Sequence, residues 1–284
     1  MATENGLTEM PIGVDTAMPA LVPEPGGTIL LNYMEYYSAR RTNDGAGNPA
    51  VPDFRLDVEA EAPKIVHTWA RFNGIDVSSG FVQPLVNIDI QIIPGEVTGH
   101  EFNRGDTDLL PLILHTVVGN GLHLETATNI RPRDGFYNGH NPASEGLNRF
   151  TVGQQFVTTW LPDKTWDLST STLLEFGSKN STTNYRSGSY CDTDFHIGNR
   201  VFAASPKWEL GLQGYYMKQF QNDRQNGVLA DGDGHKGRAF AFGPQISYDA
   251  WEHGAIVVKF QHEVLVENRP TGDKLWVQFA LPLQ

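Results

Sequence analysis

Cysteine, basic residues and long apolar runs are all scarce in this chain. Cys191 is the one cysteine among 284 residues, so no intrachain disulfide can form. The 21 basic residues face 33 acidic ones, and the net charge of -12 argues against a nucleic-acid partner. No run of about 18 apolar residues exists, which excludes a helical membrane protein. A transmembrane β-barrel is still allowed, because its polar lumen and loops lower the mean hydropathy.

The first 27 residues lack the apolar core of a signal peptide and mix proline, glycine and acidic residues. We expect residues 1–27 to form an irregular N-terminal segment, folded into or under the unit formed by residues 28–284. If that unit is an exported barrel, the chain corresponds to a mature form without its leader.

Alternation of apolar and polar residues predicts about twelve strands and no helix. The predicted strands cover residues 28–40, 54–70, 80–93, 108–118, 122–133, 148–161, 167–179, 188–203, 209–220, 238–249, 255–267 and 273–284.

The connections between these strands alternate in length. GNG at 119, PDKTW at 162, ASPKW at 204 and AWEHG at 250 are short. RTNDGAGNPAVPD, PGEVTGHEFNRGDT, DGFYNGHNPASEG and QNDRQNGVLADGDGHKG are long, polar and rich in glycine. Short periplasmic turns opposite long extracellular loops are typical of bacterial outer-membrane barrels.

Five of the six tryptophans adjoin short connections, and indole rings favour the headgroup level of a membrane. The alternative is that they are hydrophobic corner residues of a soluble fold. The predicted membrane-interface residues are Trp69, Trp160, Trp166, Trp208 and Trp251.

The residue pattern of the later strands indicates whether their polar face points into the fold or away from it. In AIVVKFQHEVLVEN, residues 255–268, the apolar residues Ile256, Val258, Phe260, Val264 and Val266 share one parity, and charged residues occupy the other. A soluble sheet would place the apolar face inside, whereas an outer-membrane barrel would turn it toward lipid. The strand at 188–203 has a row of charges on one face, which a dry core could not hold unpaired. The inverted arrangement, with a polar lumen, is therefore favoured.

No motif predicts a metal site, a cofactor or a catalytic residue. DGDGHKG at 231 resembles the start of a calcium loop but lacks the closing glutamate. His196 shares a strand face with Asp192 and Asp194, but no second histidine or cysteine follows at the spacing of a known metal site. No GxSxG motif occurs. An outer-membrane hydrolase, of lipase or protease type, remains the alternative function, since a triad can assemble across strands.

Two stretches, GRAFAFGPQISYD (237–249) and FQHEVLVENRPTGDKLWVQFALPL (260–283), resemble the outer-membrane channels of the meta-pathway of phenol degradation. PGGTILLNYMEYYSA, GDTDLLPLILH and TNYRSGSYCDTDFHIGNRV extend the resemblance over most of the chain. It implies a monomeric twelve-stranded barrel in the outer membrane of Gram-negative bacteria, surrounded by lipid and lipopolysaccharide, for passive uptake of small hydrophobic or aromatic molecules. The family supplies no catalytic residues. The terminal FALPLQ departs from the aromatic last residue of many such barrels.

Parity predicts a charged lining for the channel. The predicted lining residues are Glu59, Glu61, Asp89, Glu125, Arg131, Arg149, Glu175, Asp192, Asp194, His196, Arg200, Lys259 and Glu263.

Overall fold

The computed structural model describes residues 2–163, 165–201, 205–252 and 254–283. Lys164, Ala204 and His253, which fall in three of the predicted turns, lie outside the described residues. So do Met1, Gln284 and residues 202–203 of the predicted strand at 188–203. The described chain is almost entirely β structure, and none of its helices is long and apolar enough to cross a membrane.

The described residues form seventeen strands, with short 3-10 turns at Glu4–Gly6 and Ala230–Gly232. The strands in the first half are β1 (Thr28–Thr42), β2 (Arg55–Phe72), β3 (Ile75–Val82), β4 (Leu85–Ile93), β5 (Val97–Arg104), β6 (Asp108–Val118), β7 (Leu122–Arg131) and β8 (Thr151–Trp160). The others are β9 (Trp166–Gly177), β10 (Tyr185–Arg186), β11 (Tyr190–Asn199), β12 (Trp208–Gln219), β13 (Arg224–Gln225), β14 (Val228–Leu229), β15 (Arg238–Trp251), β16 (Gly254–Glu267) and β17 (Pro270–Leu283).

The sheet closes because β1 pairs with both β2 and β17. Fourteen strands belong to it, all pairing antiparallel with their neighbours. β3 and β4 run on as one barrel strand, as do β5 and β6, so the barrel has twelve strands. The predicted antiparallel barrel of about twelve strands is confirmed. The remaining short strands, β10, β13 and β14, form a small separate sheet in the long loops.

One predicted strand and one predicted loop differ from the structure. The strand predicted at 80–93 starts at Ile75 and is broken between Val82 and Leu85. The long loop predicted at 94–107 instead contains β5, which pairs with β4 to form a hairpin. Pro84 explains the break, because proline has no N–H to donate to the ladder.

The long loops gather at one end of the barrel, together with the short connections at 94–96 and 268–269, and the opposite end carries tight turns. Asn73–Gly74 joins β2 to β3, and Asn120–Gly121 lies between β6 and β7. All four residues have positive φ, which the two-residue turns of twisted hairpins require and which Asn-Gly adopts readily. The turn predicted from GNG is confirmed.

The N-terminal segment runs inside the barrel, from Ala2 to Ala20. Ile12 packs with Tyr190, Tyr215 and Met217 in a buried cluster. Backbone groups of residues 12–15 bond to inward side chains of β11, β16 and β17. The barrel interior at this level is therefore filled by the chain itself.

Candidate functional site

The inner face of β2 and β4 is apolar, opposite to the predicted parity. Glu59, Glu61 and Asp89 were assigned to the lumen, but all three are exposed on the outer face. There, Glu61 Oε1 accepts a hydrogen bond from Asn32 Nδ2 at 2.9 Å, and Glu59 Oε2 accepts one from Asn87 Nδ2 at 3.3 Å.

Strand length explains this correction. Trp69 and Glu61 are eight residues apart on β2, or about 26 Å along the strand and roughly 20 Å along the barrel axis at a tilt of about 40°. The apolar band of such a barrel is only about 25 Å tall, so Glu61 lies near its upper edge. Beyond that edge the outer face meets water, and charged residues no longer need to point inward.

Most of the other predicted lining residues do point inward. Arg149 precedes β8 and is also buried, whereas Arg200 lies at the rim of the tight turns, where Nη1 donates to Asp249 Oδ2 at 2.7 Å. The inward residues on strands are Glu125, Arg131, Glu175, Asp192, Asp194, His196, Lys259 and Glu263. On β16 a bulge turns Val266 inward as well, so its predicted lipid-facing position is wrong.

An ion-pair cluster lies in the half of the barrel near the long loops. Arg131 Nη1 donates to Glu175 Oε2 at 2.6 Å, and Arg131 Nη2 donates to Asp108 Oδ2 at 3.0 Å. Arg149 Nε donates to Glu9 Oε1 at 2.9 Å, which attaches the N-terminal segment to this cluster. Pairing on this scale offsets the desolvation that isolated buried charges would suffer.

A second polar network holds the N-terminal segment across the middle of the barrel. Asp194 accepts from the N–H groups of Gly13 at 3.0 Å and Asp15 at 2.7 Å. Lys259 Nζ donates to the carbonyls of Gly13 and Val14 at 2.7 and 2.8 Å. These partners are backbone groups of an irregular segment, so no side-chain pattern in the sequence could have revealed them.

A cavity of about 200 Å³ lies between this segment and the barrel wall. Residues 6–12 line one side, together with Val14 and Asp15, and the inner faces of β1, β2 and β4 line the other. The apolar part of that wall consists of Leu56, Val58, Ala60, Ala62, Val82, Val86 and Ile88. Charged residues complete the lining, among them Arg131 and Glu263 of the predicted channel lining.

The cavity adjoins the break in the wall. Val82, Pro84 and Gly105 line it there. Two backbone hydrogen bonds remain across the break: Gln83 N–H donates to the Pro63 carbonyl at 3.2 Å, and Gly105 N–H donates to the Pro84 carbonyl at 3.0 Å. The Gln83 side chain adds hydrogen bonds to the Gly105 carbonyl at 3.1 Å and to Thr107 Oγ1 at 2.9 Å. Phe81 and Leu85 are exposed on the outer surface beside it. An apolar cavity is therefore separated from the lipid-facing surface by a stretch of interrupted ladder.

The five tryptophans predicted at the membrane interface lie on the barrel's outer side or at its tight-turn end. Trp69 is the most exposed, at 64%, and Trp160, Trp166 and Trp208 are also exposed. Trp251 is half-buried and donates its indole N–H to the Ala280 carbonyl at 2.8 Å. Trp276, which the sequence left out of this group, points inward and is buried. Contact of the five with lipid headgroups stays a prediction.

The family model described as "Putative MetA-pathway of phenol degradation" matches residues 39–279. The chain belongs to this family. No curated protein matches the sequence. The COG4313 outer membrane channel from Pseudomonas putida F1 is similar in structure, with a TM-score of 0.81 at 14% identity over 92% of this chain and 97% of that one. The β domain of the Bordetella autotransporter Brka has a TM-score of 0.57 at 8% identity, over 92% and 100% of the two chains.

At such low identity the structural likeness establishes the fold alone. This member of the phenol-degradation family therefore has the same barrel fold as the COG4313 outer membrane channel. The predicted family, fold class and outer-membrane location are confirmed.

Proposed function

We propose that this barrel passively takes up small, largely apolar molecules across the outer membrane, aromatic compounds among them. The cavity between the N-terminal segment and the apolar wall of β1, β2 and β4 carries this proposal. Concave, mostly apolar sites with a few polar groups are typical of small-molecule binding. The family description points to the same substrate class, since phenol is aromatic. The barrel closes on its own strands, which supports action as a monomer embedded in lipid and lipopolysaccharide.

The way out of the cavity is the second part of the proposal. Below the cavity, Asp194, Lys259 and the backbone of residues 13–16 form a dense polar network, which an apolar solute would have to disrupt. Breaking buried hydrogen bonds without replacement costs about 1–3 kcal/mol for each group left unpaired. The interrupted ladder at Gln83–Pro84 offers an exit with fewer bonds to break, and those bonds join uncharged groups. We therefore place solute exit through the wall, and replace the predicted polar-lumen route with this one.

The alternative function, an outer-membrane hydrolase, needs a hydroxyl activated by an oriented imidazole. In the part of the chain that the structure describes, Thr28 is the one hydroxyl hydrogen-bonded to a histidine, His67, at 2.9 Å. No described carboxylate is hydrogen-bonded to that ring. This arrangement supports transport over catalysis.

A disulfide across the break tests the route. Thr107 Oγ1 donates to Gln83 Oε1 at 2.9 Å, so the two side chains touch there. The test variant is Gln83→Cys/Thr107→Cys in a Cys191→Ala background. Its oxidation should slow the uptake of an aromatic solute into liposomes several-fold, and reduction should restore the uptake. Mass spectrometry verifies that the disulfide has formed.

The matched control is Thr172→Cys/Thr193→Cys in the same background, which links directly opposed residues of the regular wall between β9 and β11. Its oxidation should leave uptake unchanged. Unaltered uptake in the oxidised Gln83–Thr107 variant would refute exit through the wall. Turnover of ester or peptide probes by the purified barrel would instead favour the hydrolase.

A further inference from the structure

Three buried side chains meet at the inner wall near the tight turns. They are Asp167 on β9, His196 on β11 and Glu209 on β12, each at most 4% exposed. His196 Nε2 is 3.1 Å from Glu209 Oε1 and 3.6 Å from Asp167 Oδ2. The sequence grouped His196 with Asp192 and Asp194, its neighbours on one strand, whereas its closest carboxylates come from the two adjacent strands.

These spacings fit a single metal ion. Zinc binds histidine nitrogen at about 2.0–2.1 Å and carboxylate oxygen at about 2.0–2.2 Å, so neighbouring ligand atoms of a tetrahedral site lie about 3.3–3.5 Å apart. The two separations measured from His196 Nε2 bracket that value, and all three ligand atoms lie within 4.8 Å of one another.

An unpartnered oxygen points into the cluster. Asp167 Oδ1 accepts a hydrogen bond from Ser169 Oγ at 2.6 Å, but Asp167 Oδ2 has no hydrogen-bond partner among the described residues. Asp167 is 1% exposed, so bulk water does not satisfy this oxygen. A buried carboxylate oxygen without a donor is costly, and a cation would remove that cost.

Inward carboxylates elsewhere in the barrel have cationic partners. Glu175 is paired with Arg131, and Glu35 with Lys274 at 3.0 Å. In the described chain, no lysine or arginine forms an ion pair with Asp167 or Glu209. Two carboxylates therefore share a single imidazole, and a divalent ion would balance their charge while the imidazole stays neutral.

Two glycines leave space for the cluster. A Cβ placed on Gly198 would lie 2.5 Å from both Glu209 Oε1 and His196 Nε2, and one on Gly211 would collide with the His196 ring. Gly198 and Gly211 face each other on β11 and β12. A larger residue at either position would displace the ligand atoms.

We propose that Asp167, His196 and Glu209 bind one divalent transition-metal ion of the Zn²⁺ class, with a fourth position open to another ligand. Imidazole nitrogen with two carboxylates suits such ions better than Mg²⁺ or Ca²⁺, which take six or more oxygen ligands. The N-terminal segment lies against the site. Thr16 Oγ1 donates to Gln245 Oε1 at 2.8 Å, and Gln245 Nε2 is 3.5 Å from His196 Nε2. The ion would thus stiffen the wall on which this segment rests.

Metal loading during refolding is the test, because the site is closed to solvent in the folded barrel. The full chain is refolded into detergent with ZnCl₂, with MgCl₂ or with no added metal, then passed through a chelating column and assayed for bound metal. We expect one Zn²⁺ per barrel, no retained Mg²⁺, and loss of at least tenfold in affinity for His196→Asn and for Glu209→Gln. Refolding with Co²⁺ should give the intense visible absorption of a tetrahedral site.

His262→Asn is the matched control, because His262 also contacts a carboxylate, Asp273, at 2.6 Å but lies exposed on the outer face. It should retain the full metal content. A gel-mobility assay of the folded barrel distinguishes loss of metal from loss of folding. Gly198→Ala keeps all three ligand side chains but displaces their ligand atoms, so this variant should bind the metal only weakly. Absence of stoichiometric zinc in the folded wild type, or equal zinc in the wild type and His196→Asn, would overturn the proposal.

Discussion

Asp194 Oδ2 accepts a hydrogen bond from the backbone N–H of Asp15 at 2.7 Å, joining the barrel wall to the segment inside it. The other oxygen of Asp194 accepts from Gly13 N–H at 3.0 Å. One side chain thus fixes two backbone N–H groups, two residues apart, of an otherwise irregular chain. Hydrogen bonds to a charged group contribute about 1.5–3 kcal/mol each, so this residue is a main attachment of the segment.

Asp194→Ala should loosen the N-terminal segment and raise ion conductance in planar bilayers, with more frequent open bursts. Asp192→Ala is the matched control, since Asp192 faces inward two residues away but makes no hydrogen bond to residues 2–20 among those described. Equal conductance of the two variants would show that the segment does not obstruct ion flow.

Ala60→Phe should reduce uptake of an aromatic solute by filling the apolar cavity. Ala60 lines that cavity, and a phenyl ring there removes much of the space available to a ligand. Glu59→Phe is the control, because Glu59 is the preceding residue and points to the outer face. Liposome uptake and growth on aromatic carbon sources would measure both. If the two variants lose uptake equally, the cavity is not the binding site.

Arg131→Leu should lower the free energy of unfolding by about 3–5 kcal/mol, because it leaves buried carboxylates uncompensated. Arg131 is buried between Glu175 and Asp108. The double variant Arg131→Leu/Glu175→Leu should lose less than Arg131→Leu alone. Arg40→Leu, which removes an exposed pair with Asp57, should have little effect. Urea unfolding of the barrel in detergent provides the measurement, and additive losses would contradict the expected coupling.

Protonation of Glu145 should control how tightly the loop at 132–150 packs. Burial raises the pKa of Glu145 from 4.5 to about 7, and the neighbouring Glu101 adds to this effect. Since the pKa is higher in the folded loop, the packed state is fully favoured below about pH 4.5 and loses this contribution as the pH rises through about 7. Hydrogen exchange of the loop should therefore accelerate from about pH 4.5 to about pH 7 and level off above it.

Glu145→Gln is neutral at every pH and should abolish this acceleration, once the intrinsic pH dependence of exchange is subtracted. Glu101→Gln, which removes only the neighbouring charge, should retain most of it. An unchanged profile in Glu145→Gln would assign the effect to another group.

The barrel was predictable because its determinants are local. Alternation with a period of two defines each strand, and Asn120–Gly121 specifies its turn by conformation alone. The inward direction of Lys259 and Glu263 followed from the same alternation. β5 was missed because HEF and its neighbours look like a polar loop, and only the antiparallel contact with β4 makes them a strand.

The errors at Glu59, Glu61 and Asp89 have a different origin. Parity tells which residues share a face, but the rule that charges face inward holds only within the height of the membrane. β2 is 18 residues long and extends beyond that height. The metal-binding group was also hidden, because Asp167, His196 and Glu209 come from three strands whose register the sequence does not specify.

The path of the N-terminal segment has a consequence for biogenesis. Gly13 and Lys259 are 246 residues apart, and Val14 and Gln278 are 264 apart, yet each pair is hydrogen-bonded. Contacts of such separation incur the full entropic cost of loop closure and form late. Gly13 and Val14 thus acquire these partners only when the last two strands have joined the sheet. During insertion the N-terminal segment must therefore enter a sheet that is still open. Pairing of β1 with β17 closes the last gap through which the segment can enter.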